Sequence, residues 1–285
     1  MIVDYRLPLL LLREALSSPR VQRTPEPDAV MTLSDSVASF HGEGAMGGAL
    51  VPVYHFNALA TSRLIARGGT LVDLGSGSGQ YLAYLALRRP DLRIIGLDLS
   101  QEMVATGNRY LAELGLSDRV EIRVGDMTDF KSQLPAHVSA VSSVFALHHL
   151  PTDDHLRRCL QGIAHVQHAH GCAVWLFDHT RPRHPKTAQL FPELFTPNAS
   201  PTFRRDSTNS LIAAFSFSEL SEELGAVLEG PWQHVQSKGL RLYQAHWLAG
   251  RGPLGGRDLW HDALLSTQAS RQFRQLRGIL RRVPV

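Results

Sequence analysis

Residues 71–80 read Leu71-Val72-Asp73-Leu74-Gly75-Ser76-Gly77-Ser78-Gly79-Gln80. The apolar run Thr70–Leu74 predicts a strand, and it stops at glycines 75, 77 and 79. Glycine there allows a tight turn and lets the backbone approach a ligand closely. Gln80–Arg88 predicts a helix that ends at Pro90. Strand, glycine turn and helix together form the opening unit of many nucleotide-binding sheets. The same unit also serves as a purely structural turn, so its neighbours must decide.

On the C-terminal side a regular alternation follows. Strands are expected at Leu92–Leu97, Val120–Val124, Ala140–Phe145 and Cys172–Phe177. Helices are expected at Gln101–Leu114 and Asp153–Ala169. Such alternation predicts an α/β fold with a doubly wound, mostly parallel, Rossmann-like sheet of seven strands. Residues 218–224 read as a helix, and Trp232–Gln236 and Leu242–Leu248 as an antiparallel hairpin closing the sheet. Between them and the fifth strand lies a polar insertion, 180–212, with five prolines. On the N-terminal side, 3–16 and 32–47 have helical character, 17–29 is a Pro-rich connector and 51–67 suits a helix. The expected organisation is an N-terminal helical cap or lid at 1–50, a catalytic domain at 51–250 carrying the 180–212 cap insertion, and a basic helical extension at 251–285.

Asp98 lies 19 residues after Gly79, at the end of the second strand. A carboxylate there can accept hydrogen bonds from both hydroxyls of a ribose. The third strand runs into Gly125-Asp126-Met127, where the acid can meet an adenine amino group and Met127 can pack on the ring. The loop itself is G-x-G-x-G, unlike the G-x-G-x-x-G of nicotinamide sites, and Asp73 precedes it by two residues.

Four ordered segments, LVDLGSGSGQ (71–80), IIGLDLS (94–100), VGDMTDF (124–130) and FALHHLP (145–151), resemble the successive motifs of class I S-adenosylmethionine (SAM)-dependent methyltransferases. The nearest flavour is the small-molecule branch that includes ubiquinone and menaquinone methyltransferases. The resemblance covers about residues 50–180, and the closing hairpin suits the same fold. It implies SAM as cofactor and S-adenosylhomocysteine as product. It places Gly75, Ser76 and Gly77 along the methionine part, Asp98 on the ribose, Leu99 against the adenine, and Asp126 and Met127 at the adenine edge. Met103 and Phe145 are expected near the cofactor or in the core. Asp73 is expected near the methionine end or bracing the loop. Tyr54 and Tyr81 are lesser candidates. Relatives usually carry a Lys-Pro-Gly-Gly turn before the fifth strand; here Val166–Gly171 stands in its place.

Methyl transfer needs alignment more than activation, because the sulfonium is already a good leaving group. A base is needed when the acceptor is a protonated O, N, S or C group. His148 and His149 after the fourth strand, and Asp178 with His179 after the fifth, are the catalytic candidates. The alternative for His148 or His149 is ordering its loop. His165, His168 and His170 lack the spacing and the interleaved acid of a metal site. Metal-assisted transfer needs acids at the strand ends, and the fourth strand runs into Phe145-Ala146-Leu147 with none, so no metal is expected. Phe40, His41, His55, Phe56, Phe191, Phe195, Phe203, Arg204 and Arg205 are expected to roof the substrate or pack a lid.

The composition excludes several classes. Of 285 residues, 44% are apolar and 19% charged, so the chain is neither a disordered tail nor a disulfide scaffold. Its two cysteines, Cys159 and Cys172, point to a reducing, cytoplasmic compartment of bacterial type. No apolar run is long enough for a membrane span. The net charge of +3 comes from the end: Arg271, Arg274, Arg277, Arg281 and Arg282 lie in the last 20 residues, which hold no acid. Removing those five arginines leaves +3 − 5 = −2. Phe273, Leu276, Ile279 and Leu280 form an apolar stripe beside them. Such a helix packs on the domain or on a second subunit of a homodimer, and nucleic acid is not the expected partner. The leading expectation is metal-free in-line methyl transfer to a small molecule. The alternatives are an RNA methyltransferase gripping phosphates with the arginines, and a non-enzymatic assembly partner with the same fold.

Overall fold

The computed structural model describes residues 6–27, 34–45, 48–252 and 265–283. Parts of the expected N-terminal helices (3–5, 32–33, 46–47) and of the C-terminal extension (253–264, 284–285) lie outside them.

Seven strands form one sheet. They are β1 (Thr70–Leu74), β2 (Arg93–Asp98), β3 (Val120–Val124), β4 (Ala140–Val144), β5 (Ala173–His179), β6 (Gln233–Gln236) and β7 (Tyr243–Leu248). Their order is β3-β2-β1-β4-β5-β7-β6. The first five run parallel, while β7 pairs antiparallel with both β5 and β6. The chain winds outward both ways from the β1–β4 pair, so the crevice for a ligand opens at the carboxyl ends of those two strands.

Both faces of the sheet are covered. Leu71, Ile94, Ile122, Trp175 and Phe177 pack with α3 (Val51–Leu64) and α4 (Gln80–Arg88). Val72, Ile95, Val141, Val174 and Leu176 pack with α6 (Asp153–His170) and α9 (Phe217–Val227) on the other side. Alternate side chains therefore meet opposite helix layers, which is why the strands read as nearly continuous apolar runs. Next to α4, α5 (Gln101–Glu113) is capped by the Ser100 hydroxyl, which accepts from Met103 N. Among the described residues no helix is long and apolar enough to cross a membrane.

The insertion after β5 is not an irregular loop. It folds as α7 (Pro185–Phe195) and α8 (Pro201–Ala213), each with proline at its first turn, where the missing N–H costs nothing. These helices meet α1 (Arg6–Leu16) in a small cluster around Leu10, Ala188 and Leu211. Glu14 of α1 is buried, and its carboxylate accepts from Arg183 N, His184 N and the Thr187 hydroxyl. That anion satisfies donors around the start of α7 and ties the N-terminus to the insertion. A further helix, α2 (Ser34–Gly44), lies between α8 and α4.

The basic helix α10 (Thr267–Ile279) lies on α3. Ala269, Phe273, Leu276 and Leu280 are buried, and the Phe273 ring meets His55 edge-on at 4.7 Å. Its arginines all face outward. Of the two expected outcomes for the apolar stripe, packing on the domain is the one observed. Smaller differences concern boundaries: Cys172 lies one residue before β5, and the hairpin strands begin at Gln233 and Tyr243. Phe273→Ala should therefore cost about 3–4 kcal/mol in urea denaturation, the range for a buried aromatic. Arg274→Ser, on the exposed face, should stay within about 0.5 kcal/mol.

Candidate active site

The turn after β1 is built on hydrogen bonds to the end of β2. Gly75 N and Ser76 N both donate to Leu97 O, at 2.8 and 3.0 Å. Gly77 N donates to Asp98 Oδ2 at 2.7 Å, and Ser100 N to Asp98 Oδ1 at 2.9 Å. Gly75 has φ of +72°, and a Cβ on it would lie 2.3 Å from the Ala146 Cβ. Only glycine permits both that conformation and that contact. The loop thus passes against the β4 end with its backbone bare to the crevice.

A cavity of about 300 Å³ occupies this crevice. Asp73, Gly75, Ser76, Gly77, Asp98, Leu99, Met103, Asp126, Met127 and Phe145 all line it, as do Tyr54 and Tyr81. Burial pushes the Asp98 carboxyl above its usual range, against the two backbone donors that favour its charge. Asp73 is deeper, with the Ser142 hydroxyl donating to it at 2.5 Å, and burial pushes its carboxyl up to about 8. Leu99 is exposed at the rim, whereas Met103 is buried and serves wall and core together. Phe145 takes φ of +56°, rare for a bulky residue, and its ring stacks on His179 at 4.5 Å. Such backbone strain clusters at functional sites.

Beyond Phe145 the 3-10 turn Leu147–His149 carries the two histidines. His148 is buried, and its Nδ1 lies 2.6 Å from Asp178 Oδ1 while its N donates to Asp178 Oδ2 at 3.0 Å. Burial opposes a charged His148, but the adjacent Asp178 and Glu26 outweigh it and raise the imidazole. Burial likewise opposes charge on Asp178, yet His148 holds that carboxyl below its ordinary value. His149 is pushed down to about 3 by burial and by His148, so it is neutral. A second cavity of about 60 Å³ adjoins the first and shares Phe40, Phe145 and His149 with it. Glu26, His148, His179, Phe203, Asp206 and Ser210 also line it.

The catalytic candidates therefore separate. His149 lines both cavities, His148 lines the smaller one, and Asp178 lines neither. Asp178 sits behind His148, paired with its Nδ1 and its backbone N. The expected roof is met by Phe40 and Phe203, but not by the two arginines. Arg204 bonds Pro197 O and Arg205 pairs with Asp206, both at exposed positions. His41 hydrogen-bonds Gln80 at 2.7 Å, which clips α2 to α4, and His55 and Phe56 are core. Phe191 and Phe195 pack on each other at 4.7 Å.

Two residues of the Pro-rich connector were missed. Glu26 Oε1 lies 3.7 Å from His148 Nε2 and accepts from the Ser210 hydroxyl at 2.7 Å. Arg23 donates to the carbonyls of His148, Leu150, Pro151 and Ala213 and lies 3.9 Å over the Phe215 ring. An aperiodic segment carries no local signal for such contacts.

A family profile described as a methyltransferase domain matches residues 71–171, the stretch that builds the glycine turn, Asp98, Asp126 and the two histidines. Residues 71–171 thus carry a methyltransferase domain. The relative "Ribosomal RNA small subunit methyltransferase G" of Kineococcus radiotolerans is 32% identical over 91 residues, 32% of this chain and 36% of that protein. A tRNA (guanine-N(7)-)-methyltransferase of Synechococcus sp. is 30% identical over 92 residues, 32% of this chain and 38% of that protein. The chain thus spans about a third of the length of these curated relatives. Among solved structures, the plantazolicin methyltransferase BamL aligns with TM-score 0.54 at 12% identity, over 76% of this chain and 91% of that one. An O-methyltransferase family protein of Burkholderia thailandensis aligns with TM-score 0.52 at 17% identity, over 77% and 62%. Both likenesses concern the fold.

Asp73 gives this methyltransferase domain a specific pH response. Burial raises its folded-state carboxyl from the ordinary 3.8 to about 8. The stability it contributes is full below the unfolded value and is lost as pH rises through about 8. Thermal melts of the ligand-free protein between pH 5 and 8 should therefore decline less steeply for Asp73→Asn than for the wild type. Equal slopes would remove Asp73 as the cause.

Proposed function

We propose that this protein transfers the methyl group of SAM to a small-molecule acceptor seated in the smaller cavity. The observation that carries the reading is the junction of the two cavities at Phe40, Phe145 and His149. The larger cavity offers the ribose carboxylate, Asp98, and the bare glycine turn. The smaller one lies under α8 and the connector, with room for one compact group rather than an open groove. BamL, which was solved with a triazolic desmethylPZN analogue and S-adenosylhomocysteine, shares this fold.

In this reading Gly75–Gly77 and Asp98 hold the methionine and ribose parts, and Asp126 and Met127 take the adenine edge. The acceptor's lone pair attacks the methyl carbon in line with the departing sulfur. The C–S bond breaks, its electron pair stays on sulfur, and S-adenosylhomocysteine remains. Alignment in a water-poor crevice supplies most of the acceleration. An acceptor that carries a proton must lose it, and the His148 cluster with Asp178 behind it is placed at that step. The buried free thiols of Cys159 and Cys172 support a reducing compartment such as the cytoplasm.

A second reading, methylation of RNA, is favoured by one observation: the exposed arginines of α10 form a basic face. Under it, RNA binding should fall steeply with salt and vanish when residues 266–285 are removed.

Calorimetry should show S-adenosylhomocysteine binding to the wild type. Asp98→Ala should weaken it at least about tenfold, the value of a charge-assisted hydrogen-bond pair. Failure of the wild type to bind would end the methyltransferase reading. With an acceptor found by screening against labelled SAM, His148→Gln should lower kcat by about 100-fold or more. Its affinity for S-adenosylhomocysteine should barely change.

A further inference from the structure

We propose that Glu26, His148 and His149 bind one divalent transition-metal ion at the junction of the two cavities. The proposal rests on the reading above, in which the acceptor occupies the smaller cavity, and it names the group that holds the acceptor there.

One ligand atom from each residue lies within 4.8 Å of the other two. The spacing of the first pair decides between occupants. Glu26 Oε1 and His148 Nε2 are 3.7 Å apart, too far for a direct hydrogen bond. A hydroxyl bridging them at ~2.8 Å on each side and a tetrahedral angle would need roughly 4.6 Å. A cation at ~2.1 Å from each ligand, with the same angle, needs roughly 3.4 Å. The observed gap is nearer the cation's, and a His149 ring nitrogen lies within 4.8 Å of both ligand atoms.

The surrounding groups are those that metal ligands use. Asp178 Oδ1 holds His148 Nδ1 at 2.6 Å, which fixes the tautomer that leaves Nε2 with a lone pair. Ser210 donates to Glu26 at 2.7 Å and orients the carboxylate. The His149 Nδ1 is buried without a hydrogen-bond partner. Arg23, the nearby cation, is engaged with backbone carbonyls rather than with Glu26. Two imidazoles and one carboxylate suit zinc or another borderline first-row ion better than magnesium or calcium.

Three protein ligands leave coordination positions open toward the cavity. An acceptor hydroxyl bound there becomes more acidic, and its proton passes to water. The oxygen lone pair then attacks the methyl carbon as before. His148 acts in this case as a ligand rather than as the proton's destination. The sequence expectation of a metal-free site rested on the fourth strand ending in Phe145-Ala146-Leu147 without an acid, and folding brings one there from the connector.

The test uses the full chain, stripped with a chelator and titrated with Zn²⁺ by calorimetry and with Co²⁺ by visible absorption. The wild type should bind one equivalent with micromolar or tighter affinity. Glu26→Gln and His149→Ala should each weaken it at least about tenfold, and Asp178→Asn by about tenfold through His148. The His168→Ala, His170→Ala double variant controls for surface histidines and should match the wild type. No stoichiometric binding, or equal binding by Glu26→Gln, overturns the proposal. S-adenosylhomocysteine calorimetry on the same samples separates the two readings. Intact nucleoside binding without metal binding removes the metal site alone, and loss of nucleoside binding by the wild type removes the methyltransferase reading as well. Retained nucleoside binding by Glu26→Gln shows that this variant is folded.

Discussion

The site depends on one constraint: the turn after β1 must hydrogen-bond across to the end of β2. Leu97 O receives both Gly75 N and Ser76 N, and the Asp98 carboxylate receives Gly77 N. These bonds hold the loop against the β4 end, where Ala146 leaves no space for a side chain on residue 75. The crevice opens between strands that wind in opposite directions, and the same carboxylate that braces the loop faces the cavity. Asp98 therefore braces the loop and lines the cavity at once. Changing it disturbs the loop as well as the cavity wall.

The second determinant is how the ends of the chain close over this crevice. Glu14 satisfies the start of α7, and Arg23 satisfies carbonyls around the histidine turn. Glu14 is buried and Arg23 partly so, and each is matched by several hydrogen bonds, the condition for burial to be tolerable. Between them they lay the connector across the smaller cavity and deliver Glu26 to His148. Three titrating groups, Asp178, His148 and Glu26, then share one buried neighbourhood, and their charges are coupled.

Much of the domain was legible because its signals are local. Strand–helix alternation, the three glycines, Asp98 and Asp126 each follow from neighbouring residues and the strand period. All ten residues expected at the cofactor line the larger cavity. The cap was legible only as polarity and prolines. Pro185 and Pro201 mark helix starts, a reading that treating the stretch as a loop passes over. Arg204 and Arg205 look like substrate groups in sequence, yet they sit on the outer side of α8. Helical phase decides that, and phase depends on which face meets α2 and the core.

The sequence by itself determined the sheet, the glycine turn and the carboxylates that line the crevice, because strand period and turn chemistry act over a few residues. The tertiary structure alone decided that α10 packs on α3, that Asp178 stands behind His148, and that Glu26 meets it from a distant connector. Those contacts join segments far apart in the chain. They are set by burial and by the need to satisfy buried charge, for which no local pattern exists.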